Sequence, residues 1–152
     1  MREILFRGKR TGDEKWICGH LLEQNIPDCH SYIVMSIIAE LDNRHIEIMD
    51  FDMNEVIPET VGQFTGLTDK NGVKIFEGDI VRYGTNTNRA DNEEIYEVVF
   101  ETRGGSGYFG IRISEIETWN FCLEVPAKLM EVIGNIHDNP ELLGGENNGI
   151  NR

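Results

Sequence analysis

No run in this 152-residue chain approaches the ~20 apolar residues that would cross a membrane as a helix. The apolar part of residues 1–7 is too short for a signal peptide. Cysteine is scarce: Cys18, Cys29 and Cys122 are an odd set with no CxxC pair, as expected of free thiols in a reducing compartment. The chain is therefore expected in the cytoplasm, with no membrane partner. Basic residues are also few, 14 against 27 acidic ones, for a formal charge of −13. Residues 1–76 carry 8 basic and 13 acidic side chains and residues 77–152 carry 6 and 14, so the excess is spread rather than gathered in a tail. Nucleic-acid backbones are bound by clustered Lys and Arg, so direct nucleic-acid binding is not expected.

What remains is a soluble composition, 39% apolar and 27% charged, long enough to bury a core without disulfides or metals. Residues 4–8 and 16–22 are short apolar runs separated by a Gly/Asp turn, which reads as a hairpin. Residues 24–28 break the second strand. Residues 32–38 (YIVMSII) are rich in branched side chains that favour a strand, although their length permits a helix. Residues 45–51 alternate strictly, with Ile46, Ile48 and Asp50 facing opposite to Glu47, Met49 and Phe51, and Pro58 ends the region.

Residues 63–81 (QFTGLTDKNGVKIFEGDIV) concentrate turn chemistry. Asn71-Gly72 predicts a type I′ hairpin turn, which needs positive φ at both positions. Gly78 allows a bend into the next strand, and Asp79 can bond the backbone beside it. Residues 84–94 form a polar loop, 95–100 and 108–113 are strands around a Gly-rich turn, and 114–128 are ambiguous. Residues 132–136 make a final strand, and Asn139-Pro140-Glu141 announces one short helical turn. Short strands with glycine-marked turns indicate a compact all-β barrel or sandwich.

Several of these phrases resemble the YopX family, small proteins of temperate phages and prophages. They are ILFRGK at 4–9, WICG at 16–19, VIPETVGQFTGLTDKNG at 56–72, IFEGDIV at 75–81 and VIGNIHDNPELL at 132–143. Cys18 and the 84–94 loop look individual to this member. The resemblance implies an SH3-like small β-barrel in the second half, preceded by a hairpin-rich β portion. The expected divisions are 1–62, 63–143 and a flexible tail at 144–152. It also implies residence in a bacterial cytoplasm and brings self-association as an expectation, but no activity.

Candidate sites mostly fail on chemistry. Asp50, Asp52 and Asn54 copy the first ligands of a calcium loop, but Glu55 stands where glycine is needed and Val61 where the bidentate glutamate belongs; a surface turn is expected instead. Gly8-Lys9-Arg10-Thr11 lacks the upstream glycine of a phosphate loop and reads as a turn. Cys18, His20, Cys29 and His30 lie within thirteen positions, but adjacent Cys29 and His30 cannot both point inward from a strand; a buried Cys18 with exposed histidines is the expectation. Neither Cys18 nor Cys122 sits at a helix start that would lower its pKa. Glu93/Glu94 and Glu115/Glu117 are acid pairs of the kind chance supplies in so acidic a chain. Metal and cofactor are thus expected to be none.

Tyr83, Tyr96, Tyr108 and Trp119 surround the two loops of the second half. They are the candidate binding residues, for an extended peptide in a groove, with barrel wall as the plainer role. The expected function is a non-catalytic protein-interaction module with a protein partner or a second copy of itself. Two alternatives are an acidic decoy for the nucleic-acid site of a host enzyme, and a hydrolase or nuclease whose acids assemble only in three dimensions.

Overall fold

The computed structural model describes residues 3–24, 30–42, 45–84, 93–112, 118–119 and 127–144. They are mainly strand and fall into two compact units, Met1–Phe64 and Thr65–Arg152. Most of the polar 84–94 loop, most of the ambiguous 114–128 segment, Cys29, Cys122, Glu115, Glu117 and the tail from residue 145 lie outside the described residues.

The first unit contains β1 (Phe6–Lys9), β2 (Trp16–Gln24), β3 (His30–Asp42), β4 (His45–Val56), a 3-10 turn at Pro58–Thr60 and the start of β5 (Gly62–Thr68). The order β4-β3-β2-β1-β5 is antiparallel wherever the register is defined. The branched 32–38 run resolves as strand. The sheet bends back on itself: Arg10 bridges to Val56, the Thr11 N–H donates to the Glu55 carbonyl (3.1 Å), and the Ile57 N–H donates to the Lys9 carbonyl (2.8 Å). Ile33 and Val56 are buried on the inner side of this bend. Two glycines permit the closeness. A Cβ on Gly8 would meet the Val56 side chain at 3.1 Å, and one on Gly19 would lie 2.2 Å from the Val34 carbonyl oxygen.

Two sequence expectations change here. The calcium-loop look-alike at 50–54 is continuous strand, paired to β3, and not a turn. The strict alternation of 45–51 is broken by an irregularity in the β3–β4 ladder, where Ile38↔Asp50 is followed by Ala39↔Ile48 and Met49 is the extra residue. A bulge adds one residue to one strand and reverses its face.

The second unit holds the rest of β5, β6 (Lys74–Phe76), β7 (Asp79–Gly84), β8 (Glu93–Arg103), β9 (Ser106–Arg112), β10 (Thr118–Trp119), β11 (Met130–Asn135) and a 3-10 turn at Pro140–Leu143. Its main sheet is antiparallel in the order β10-β9-β8-β7-β11. The expected closed barrel is not formed: among the described residues no ladder joins β10 to β11, so the sheet keeps two edges. The first core-forming side consists of Val81, Val98, Ile111 and Met130, with Ile75 of β6 and Ala127; Leu67, Tyr83, Tyr96, Phe109 and Val132 pack around them. Each buried Ile or Val of this set stabilises by ~1.5–3 kcal/mol relative to exposure.

The 63–81 stretch explains itself as backbone support. Gly72 has φ of +82°, but Asn71 does not have positive φ, so the turn is not type I′. Instead the Gly72 N–H donates to the Asp69 carbonyl (3.0 Å), as in a type I turn followed by a left-handed glycine. The buried Asp69 carboxylate selects that geometry. Its Oδ1 accepts the N–H groups of Asn71 (2.8 Å) and Val73 (2.9 Å), and its Oδ2 accepts the N–H of Val132 on β11 (3.0 Å). Asp79 does the same at the next corner: with Gly78 at φ +77°, its Oδ2 accepts the Phe76 N–H (2.7 Å).

Candidate interaction surface

Of the aromatics singled out from sequence, Tyr83 and Tyr96 stand together and Tyr108 stands apart from them. Tyr83 and Tyr96 are half-buried and pack against the core of the second unit. The Tyr96 hydroxyl donates to the Glu94 carboxylate. Burial raises the Tyr96 pKa above the ordinary phenol value, and the hydrogen bond to Glu94, its charge and Tyr83 add to the rise. A near-ultraviolet pH titration should therefore show one tyrosine ionising after the others, and Tyr96→Phe should remove that late step.

Tyr108 pairs with Glu101, one register step from the Phe100–Phe109 pair, and so lies on the opposite side of the sheet from Tyr96. Its hydroxyl stands 3.5 Å from the Glu101 carboxylate. Trp119 pairs in register with Ile111. The structure thus assembles Tyr83 and Tyr96 as wall and separates Tyr108 from them.

A different surface emerges on the first unit. Side chains alternate across a strand, so the positions opposite the inner Gly8, Gly19 and Ile33 form an outer side. Register brings Lys9 beside Trp16 and Arg7 beside Cys18 there. The Arg7 guanidinium lies 4.8 Å and the Lys9 ammonium 5.6 Å from the Trp16 ring centroid. Two cations on one indole hold its orientation by cation–π attraction.

Along the same side follow Cys18, His20 and Leu22, then Val34 and Tyr32 of β3, and Met53 and Glu55 of β4. Leu22 is 50% exposed and Met53 39%. His30 Nδ1 is 2.5 Å from Glu55 Oε1, and the His30 and Tyr32 rings are 6.1 Å apart. Cys18, expected buried, is exposed because it stands on this outer side opposite Arg7. Among the described residues no group of three His, Cys, Asp or Glu could hold a metal ion. The legible signal for this surface was the even-numbered series Trp16, Cys18, His20 and Leu22 along β2, whose partners on β3 and β4 the sequence does not name.

Near the base of the surface, Arg10 clamps Asp13 with two hydrogen bonds, and Lys15 stands 3.6 Å from the same carboxylate. That arrangement holds the Asp13 carboxyl below its ordinary pKa, chiefly through the Arg10 hydrogen bond. The β1–β2 end is therefore cationic in a chain that is otherwise strongly acidic.

Fold and surface together define a mainly β protein of two units, one of which presents an aromatic and apolar sheet face. The sequence matches the family described as YopX protein over residues 5–144, and the chain belongs to that family. It is also similar to a solved structure, the crystal structure of protein EF1440 from Enterococcus faecalis: identity is 28%, the TM-score is 0.59, and the match covers 94% of this chain and 99% of that one. Among curated proteins none matches this chain. Among the described residues no helix is long and apolar enough to cross a membrane.

Proposed function

We propose that this chain is a non-catalytic protein-interaction module of phage or prophage origin, acting in the bacterial cytoplasm. The observation that carries the reading is the outer face of the first unit, where exposed Leu22 pairs with Tyr32 and exposed Met53 pairs with Val34, on the same side as Trp16. Contiguous apolar surface on a soluble protein marks a place where another molecule binds. The outer side of a sheet suits a folded partner rather than a small substrate, which takes a concave pocket. The second unit, read as SH3-like, packs Tyr83, Tyr96 and Phe109 against its own core; that reading rests on its short antiparallel strands and the β5–β6 hairpin bonded to β11.

The decoy alternative receives less support. It needs the acids in one phosphate-like row, whereas Asp69 and Asp79 are buried, Glu97 is held by Arg112 at 2.8 Å and Glu131 by Lys70 at 2.8 Å. A hydrolase would need converging acids with perturbed pKa values at a cleft. Among the described residues the shifted acids are Asp13, held by Arg10, and Asp69 and Glu131, which share Lys70; all three are lowered, and Asp69 is occupied by backbone N–H groups.

The test is capture from a lysogenic host with the immobilised full chain, the retained proteins being identified by mass spectrometry. Leu22→Asp with Met53→Asp should reduce the specifically retained partner by about tenfold or more, because a buried unpaired charge disrupts an apolar contact. Retention of the same set at the same level by wild type and variant would overturn the assignment of this face.

A further inference from the structure

The β5–β6 turn of the second unit carries a reactive pair that the interaction reading does not use. Asn71 and Gly72 are both exposed, and a Cβ added to Gly72 would meet nothing within 4 Å. A glycine nitrogen has no neighbouring side chain to obstruct it, so it can reach the side-chain carbonyl carbon of the preceding Asn.

The chemistry needs only water. The Gly72 nitrogen gives its proton to solvent base and attacks Asn71 Cγ. The bond from Cγ to Nδ2 breaks, and ammonia leaves with a proton taken from solvent, closing a cyclic imide. Water then opens the ring. Attack at Cγ leaves aspartate at position 71 in a main chain of normal length. Attack at the α-carbonyl carbon leaves isoaspartate, whose main chain runs through the former side chain and is longer by a carbon atom.

The folded turn holds this reaction back. The Gly72 N–H, whose proton must leave first, donates to the Asp69 carbonyl (3.0 Å). The buried Asp69 carboxylate fixes the residues on either side of it, through the N–H groups of Asn71 (2.8 Å) and Val73 (2.9 Å). The Asp69 N–H in turn donates to the Val73 carbonyl (2.8 Å). A nitrogen so committed attacks only when the turn opens, and such segments open locally without global unfolding.

We infer that Asn71 is a site of spontaneous conversion to aspartate and isoaspartate, held in check by Asp69, and that conversion unfastens this turn from β11. The fastening runs through the Val132 N–H to Asp69 Oδ2 (3.0 Å) and the Lys70 N–H to the Met130 carbonyl (3.0 Å). Isoaspartate lengthens the main chain between Asp69 and Val73, so the N–H groups that share Asp69 Oδ1 no longer reach it together. Either product also places a second carboxylate in the turn that holds Asp69, and like charges that close disfavour each other. The opened turn does not close again as before, and the change runs one way.

Ageing the full chain at mildly alkaline pH, with peptide mapping by mass spectrometry, tests this. The map separates Asn71 from the other Asn-Gly pair, Asn148-Gly149. Conversion at Asn71 should be about tenfold or more slower in the folded chain than in urea, the factor by which the closed turn outweighs the open one. Asp69→Ala should raise the folded-state rate about fivefold or more, and Asp69→Asn by a smaller factor; the second variant carries the comparison if the first does not fold. Gly19→Ala, which strains the first unit, should leave the Asn71 rate within about twofold, separating opening of the turn from general loss of stability. Hydrogen exchange at the Val132 amide should quicken in the aged wild type and stay slow in Asn71→Ser aged alongside it.

Equal Asn71 rates in the folded chain and in urea, an Asp69→Asn rate no faster than wild type, or unchanged Val132 exchange in the isoaspartate-bearing chain would each overturn the inference.

Discussion

Asp69→Ala is expected to destabilise the chain by about 3–5 kcal/mol, read as a fall in the urea midpoint at unchanged slope. The substitution removes the acceptor for three backbone N–H groups, those of Asn71, Val73 and Val132. Each donor left without a partner in a buried setting costs ~1–3 kcal/mol, and some relaxation toward water brings the sum below the maximum. The Val132 bond matters most for the fold, because it fastens the β5–β6 turn to β11 alongside the Lys70 N–H to Met130 carbonyl bond (3.0 Å). Asp69→Asn, which keeps one acceptor oxygen, should fall between wild type and alanine.

The same carboxylate gives the protein an acid-side dependence. Burial, the largest influence, pushes the Asp69 pKa up, but the N–H bonds from Val132, Val73 and Asn71 and the charge of Lys70 outweigh it, so the folded value lies below the ordinary one. A depressed carboxyl contributes stability that is present above the unfolded-state pKa of ~3.9 and lost as pH falls through the folded value. Unfolding midpoints should therefore drop on acidification below that range. In Asp69→Asn that part of the slope should vanish; an unchanged slope would show that the bonds to Asp69 contribute nothing.

Gly19→Ala should be at least as damaging to the first unit. The new Cβ would stand 2.2 Å from the Val34 carbonyl oxygen and 2.8 Å from the Ile33 Cγ2. The first of these is backbone inside a paired strand, so it cannot swing aside as a side-chain tip would. The cost is about 3 kcal/mol or more, toward the upper end of overpacking. A thermal melt should show a depressed Tm, and hydrogen exchange should show early loss of protection in β1 to β3. Gly8→Ala is the control: its nearest contacts are Val56 side-chain atoms at 3.1–3.2 Å, which can yield by a rotamer adjustment, and the expected loss is about 1 kcal/mol. Equal effects at the two glycines would refute the steric account.

Much of the strand content could be read along the chain, because it rests on local chemistry. The branched residues between Tyr32 and Ile38, the glycines at 72 and 78, and the Pro140 turn each act within a few residues of themselves. The Asn71-Gly72 turn shows where that locality ends. Its position was legible, but its type was set by Asp69 reaching both ways, and Asp69 is in place partly because Val132, far along the chain, donates to it. The candidate aromatics show the same limit. Tyr83 and Tyr96 come together because β7 and β8 pair, whereas Tyr108 falls on the far side because of the register of a hairpin whose turn lies at 103–106.

The outer face of the first unit was missed for a related reason. Trp16, Leu22, Tyr32 and Met53 come from three strands, and only the ladders say that they share a side. The register shift at Met49 is subtler still: one extra residue on β4 breaks the β3–β4 ladder with nothing in the sequence to mark it.

What the amino-acid order determined by itself is the class of structure and its punctuation: strands, turns, absence of a helical membrane span, and membership of the YopX family by its run of phrases. What only the tertiary structure decided is which side chains stand together. Turn chemistry is a property of neighbouring residues, whereas a surface is a property of register, and register is settled by long-range pairing and by single-residue irregularities that carry no local mark.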